Sequence, residues 1–143
     1  MNTYQSEPGP FILRVALGLV LLAHSVYLKA VVYTLPGTAD YFASLGLPQV
    51  TAYVVFAIEA AGGFALLLGY QVRLVAAAAV PVLLGATWAH LPNGWLFSNS
   101  GGGWEYPLIL SVMAIAQVFL GAGSYAIESG RRPLPAQAGR LPT

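Results

Sequence analysis

Residues 50–69 and 72–90 form two apolar runs parted only by Tyr70 and Gln71. Each is near the ~20 residues a helix needs to cross a hydrocarbon core of about 30 Å. A two-residue joint leaves no room for any arrangement but an antiparallel helical hairpin. Two further runs of the same kind, residues 11–33 and 107–127, flank it, and Pro107 suits a first helical turn. The runs lack the strict alternation that a membrane β-barrel requires.

Only 8% of the 143 residues are charged and 57% are hydrophobic, against roughly 25% charged in a soluble domain. The outer surface is therefore built for lipid. The expected fold is all-α: an antiparallel bundle of four transmembrane helices, embedded in the lipid bilayer. Residues 1–10 form a polar N-terminal segment without the basic start of a secretory signal, so the first run is expected to be a retained anchor. Residues 129–143 are rich in proline and arginine, lack a periodic apolar face, and are expected to be a disordered cytoplasmic tail.

A formal net charge of +1 excludes a nucleic-acid footprint. The absence of cysteine excludes disulfide relays, thiolate zinc sites and cysteine-bound iron–sulfur clusters. Arg14, Arg73, Arg131, Arg132 and Arg140 all fall on one side of a four-span chain. The positive-inside rule makes that side cytoplasmic, with both termini there and the protein in a bacterial inner membrane. Tyr33, Tyr41, Phe42, Trp88, Trp95, Trp104 and Tyr106 then form an outer aromatic belt, and Tyr70 and Tyr125 an inner one. In the first outer loop, Thr38 as a cap, Asp40 in the first turn and Gly46 after the last predict a short interfacial helix.

Ionisable groups within membrane spans are expensive, and each is a candidate for function. His24 lies nine residues before Tyr33 and Glu59 nine after Val50, which puts both about 13 Å below the outer edge. They are the candidate proton-handling, catalytic pair. Lys29 is either a snorkelling boundary residue or the counter-charge of Glu59. His90, Trp104 and Glu105, at the outer ends of the third and fourth spans, are candidate ligand-binding residues alongside Lys29. Arg14 and Arg73 read as topology anchors, and Gln117 as a helix–helix hydrogen bond. Two histidines at different depths make a poor metal pair and a poor haem site, so no metal is expected. No phosphate loop, dinucleotide fingerprint or serine nucleophile motif occurs.

These residues occur within a longer pattern. It comprises Leu13-Arg14 with Gly18, then His24 and Lys29, then residues 41–48 (YFASLGLP), then residues 59–63 (EAAGG) with Gly69 and Arg73. It continues with residues 90–94 (HLPNG) and 101–106 (GGGWEY). The whole resembles the DoxX family of small four-helix membrane proteins. One departure stands out: relatives more often carry the lysine four residues after the histidine, whereas Lys29 comes five after His24. In an α-helix the extra residue rotates the lysine by about 100°, away from the histidine.

The family takes its name from subunits associated with quinol oxidation and thiosulfate:quinone oxidoreduction. The resemblance therefore implies a membrane subunit of a quinone-linked redox system. Such a subunit would bind a quinone or similar small apolar molecule in the outer half of the bundle and need a redox protein partner to supply electrons. The alternatives are a non-enzymatic carrier of a small molecule or ion, and a membrane scaffold or assembly factor. A homo-oligomer is compatible with each.

Overall fold

The computed structural model describes residues 8–127, and the expected disordered tail lies outside them. Helix α1 spans Pro8–Leu22 and runs without a break into a π-helix, Ala23–Val32. The short α2 spans Leu35–Ser44, α3 Val50–Leu68, α4 Val72–His90 and α5 Glu105–Leu120. No strand occurs among the described residues. Pro8–Val32, Val50–Leu68 and Val72–Asn93 are each long and apolar enough to cross a membrane, and Glu105–Leu120 is a shorter apolar helix.

The packing follows from small residues. A Cβ on Gly18 of α1 would lie 3.0 Å from the carbonyl oxygen of Gly63, and one on Gly63 would lie 3.0 Å from that of Gly18. The two helices thus cross backbone on backbone, the close approach that stabilises helix pairs in lipid. Helix α5 packs along α4 and also touches α1, while α3 joins α1 to α4. The core at the centre is Leu17, Leu21, Leu66, Val72, Ala79, Leu83, Leu110 and Ala114. Pro81 sits inside α4, which continues through it to His90.

The α3–α4 turn depends on Gly69. Its φ of 68° is left-handed. It lets the Gly69 and Tyr70 amides donate back to Leu66 O and Ala65 O at 3.1 and 2.9 Å, a Schellman ending that satisfies otherwise orphaned carbonyls.

Three boundaries differ from the sequence reading. The first helix starts at Pro8, inside the segment read as polar and before the expected start of the span at residue 11, because prolines are tolerated in a first turn. Helix α2 is capped by Thr34, whose side chain accepts from Gly37 N–H, with proline in the first turn; Thr38 is not the cap. The Thr38 hydroxyl instead donates to Thr34 O and reaches Lys29 O at 2.9 and 3.3 Å. Helix α5 ends at Leu120, not near 127, because Gly121 takes a φ of 81° and the chain turns under the bundle. Gln117 does not bridge two helices: its amide donates to Gly121 O at the end of its own helix.

Candidate functional site

The polar residues of the first span are set by the π-helix. Its i→i+5 hydrogen bonding places residues five apart one above the other, where an α-helix would offset them. His24 and Lys29, spaced by five, therefore return to one column. The altered spacing in the sequence and the altered helix compensate each other. Ser25, fully buried, satisfies its hydroxyl by donating to Leu21 O at 2.7 Å, a back-bond that favours local departure from α geometry.

The Lys29 ammonium meets the Glu59 carboxylate of α3 at 2.5 Å, with the side chains 17% and 7% exposed. Lys29 is thus the counter-charge of Glu59. In an apolar surrounding neither charge is tolerable alone, but the pair is. Thr38 at the start of α2 touches the Lys29 carbonyl, so α2 is fastened to the same turn.

His24 and Glu59 share no hydrogen bond among the described residues. His24 Nδ1 donates to Val20 O at 2.9 Å. Its ring lies 6.0 Å from that of Tyr106, at an interplanar angle of 26°. Tyr106 was expected only in the aromatic belt. His90 repeats the pattern, its Nδ1 donating to Ala86 O at 2.8 Å, and Gly102 lies against the edge of the ring.

Between these imidazoles runs the start of α5. The loop before it is held by Asn93, which donates to Gly101 O and Gly102 O, and by the backbone amides of Trp104 and Glu105, which donate to Gly94 O and Trp95 O. Trp104 packs edge-on against Trp95, with centroids 4.4 Å apart. Glu105 lies in the first turn of α5, where the helix dipole favours an acid, and its Oε2 is buried without a hydrogen-bond partner. No group of three His, Asp or Glu side chains among the described residues could hold a metal ion. An open apolar groove of about 530 Å³, with Gly62, Ala65, Tyr70 and Leu74 among its walls, lies between α3 and α4, away from these polar groups.

The residue that sequence reading assigned least to is Arg14. It is fully buried. Its guanidinium donates to Leu66 O and Leu67 O at the end of α3, and to Ala122 O, Ser124 O and Tyr125 O beyond α5, at 2.7–3.0 Å. It also lies 5.0 Å from the Phe11 ring. The signal was in the helical register. Arg14 shares a face with Leu17, Gly18 and Leu21, so it points inward with them.

A family model described as DoxX matches residues 9–91. The chain is 35% identical over 80 residues to the Bacillus subtilis (strain 168) protein named "Putative oxidoreductase CatD", a match covering 56% of this chain and 58% of that protein. The aligned part is thus little more than half of that relative's length. No solved structure gives a significant match.

Proposed function

Since the chain belongs to the DoxX family, we propose that it is a membrane component of a quinone-linked redox system. The observation that carries this reading is the Lys29–Glu59 ion pair. It is buried between two helices of membrane-spanning length, with His24 one π-turn away. A buried acid, a cation and an imidazole on neighbouring apolar helices suit a carrier that moves protons with its electrons. The similarity to a protein named as an oxidoreductase supports the same class of chemistry.

In this reading α1 with its π extension, α3, α4 and α5 are four spans, with both termini cytoplasmic in a bacterial inner membrane, and α2 lies in the outer interface. Helix α5 is only about 24 Å long at 1.5 Å per residue, and the turn at 121–127 completes its crossing. The quinone ring enters the outer half, near Lys29, His90, Trp104 and Glu105. Glu59 and His24 handle protons there, with Lys29 between them as the switchable partner of Glu59. Electrons come from a separate redox protein, the partner that the family resemblance implies.

The test is Glu59→Gln in native membranes containing the intact redox system. The substitution keeps the shape and removes the ionisable group. Quinol-coupled turnover is expected to fall by about a hundredfold or more, in the range of a lost acid–base group. Unchanged turnover at equal protein abundance would refute the proposal.

A further inference from the structure

We propose that residues 23–32 are a two-state segment, latched in the π form by the Lys29–Glu59 pair. When the pair opens, the segment relaxes to an α-helix and α2 is unfastened from it. The device goes beyond the redox reading and does not depend on it.

A π-helix is rare and usually lasts a single turn. This one runs for ten residues, and it still closes the Tyr33 amide onto Leu28 O, five residues back, at 2.8 Å. Nothing in the local sequence demands that form. Residues 19–34 contain no glycine or proline, so the same stretch could continue α1 as an α-helix. The π form is therefore held from outside. His24 and Ser25 do not hold it, since their side chains bond four residues back within the first span and tie it to no other helix. Two hydrogen bonds join the segment to other helices among the described residues, and both belong to Lys29. Its ammonium meets the Glu59 carboxylate of α3, and its carbonyl accepts from the Thr38 hydroxyl of α2 at 3.3 Å.

Both contacts need the π form. In an α-helix five steps of about 100° would carry Lys29 about 140° round from His24, out of the column that faces Glu59. The Tyr33 amide would then donate to Lys29 O, four residues back, and take the place of Thr38. Pair and π form stand or fall together. The surroundings permit the change. Within 23–32 only Ser25 is buried, near the start of the segment where rotation is least, so the core stays packed. The joint that follows is strained: Thr34, a β-branched residue, holds φ 62° and ψ 155°. Strain of this kind belongs to switch regions, and here it lies where a change of helix type passes to α2. Whatever captures either charge of the pair opens the latch.

The experiment is a nitroxide scan of the full chain in lipid nanodiscs. The native sequence has no cysteine, so single cysteines placed in turn at 23, 26–28 and 30–33 each report oxygen accessibility at one position. In the otherwise native chain, accessibility should repeat every four to five residues or roughly so, as i→i+5 bonding requires. In Lys29→Met/Glu59→Met the repeat should shorten to about 3.6 residues, and amide hydrogen exchange in α2 should quicken at least tenfold. Lys29→Arg keeps the pair and should retain the long repeat and the slow exchange. A long repeat without the pair would overturn the latch, as would a short one in the native chain or in Lys29→Arg. A shortened repeat with unchanged exchange in α2 would overturn the unfastening of that helix. If the double variant fails to fold, the same scan on Glu59→Gln decides by the same outcomes.

Discussion

Removing one member of the Lys29–Glu59 pair and removing both should have opposite consequences. A buried charge deprived of its partner costs about 3–5 kcal/mol, whereas replacing both members by apolar side chains of similar volume is often neutral or stabilising. The structure makes the two single changes unequal. The Glu59 side chain is 7% exposed and Lys29 17%, and the lysine stem can carry its ammonium toward the nearer interface. Glu59→Met should therefore cost about 2 kcal/mol, at or below the low end of that range, and Lys29→Met about 4, near its centre. The double variant should lie within ~1 kcal/mol of the native chain. For some 120 structured residues each kcal/mol shifts Tm by roughly 3–5 °C. The single variants should then melt about 8 and 16 °C lower, and the double within about 4 °C. Thermal unfolding in one detergent, followed by helical circular dichroism, measures all four chains. Additive losses, with the double melting lowest of all, would show that the two side chains do not stabilise each other and would refute the reasoning.

Arg14→Lys keeps the charge but offers at most three donors in place of the guanidinium's five. If Arg14 were only a topology anchor the change would be silent; as a clasp of five carbonyls it should lower Tm by ~5 °C or more, read in the same assay. Gly69→Ala combines a left-handed φ of 68° with a Cβ placed 2.5 Å from Ala126, and should cost at least ~2 kcal/mol, measured as lost Tm or as loss of monodisperse protein on size-exclusion chromatography.

The two central spans were legible because hydrophobic length is nearly all that a membrane helix needs, and Tyr70-Gln71 forced their hairpin. The end of α5 was misplaced although Gly121-Ala122-Gly123-Ser124 carried a stop signal: apolar length was weighed above it, and positive φ at Gly121, Gly123 and Tyr125 turns the chain there. At the site, Glu59 and Lys29 could be named from cost alone, yet not paired with certainty. The pairing depends on a π-helix, which has no compositional mark in residues 23–32. His24 was matched to Glu59 by depth, a coordinate along the axis that says nothing of direction around it. Arg14 was placed by its charge when its register with Leu17 and Leu21 pointed inward. A polar residue on an apolar stripe needs that second coordinate before a role is assigned.

The clasp at Arg14 also bears on the order in which the protein is assembled. Its acceptors Ala122, Ser124 and Tyr125 lie 108, 110 and 111 residues further along the chain. During synthesis the first helix is complete long before these carbonyls exist, and the cation must meanwhile be solvated by water or lipid headgroups. Two of its contacts, to Leu66 and Leu67, become available when the second long helix emerges. The remainder form only when the last helix has entered. Bundle closure is thus a late, long-range event, and a nascent chain halted before residue 122 carries an incompletely satisfied guanidinium that quality control could recognise.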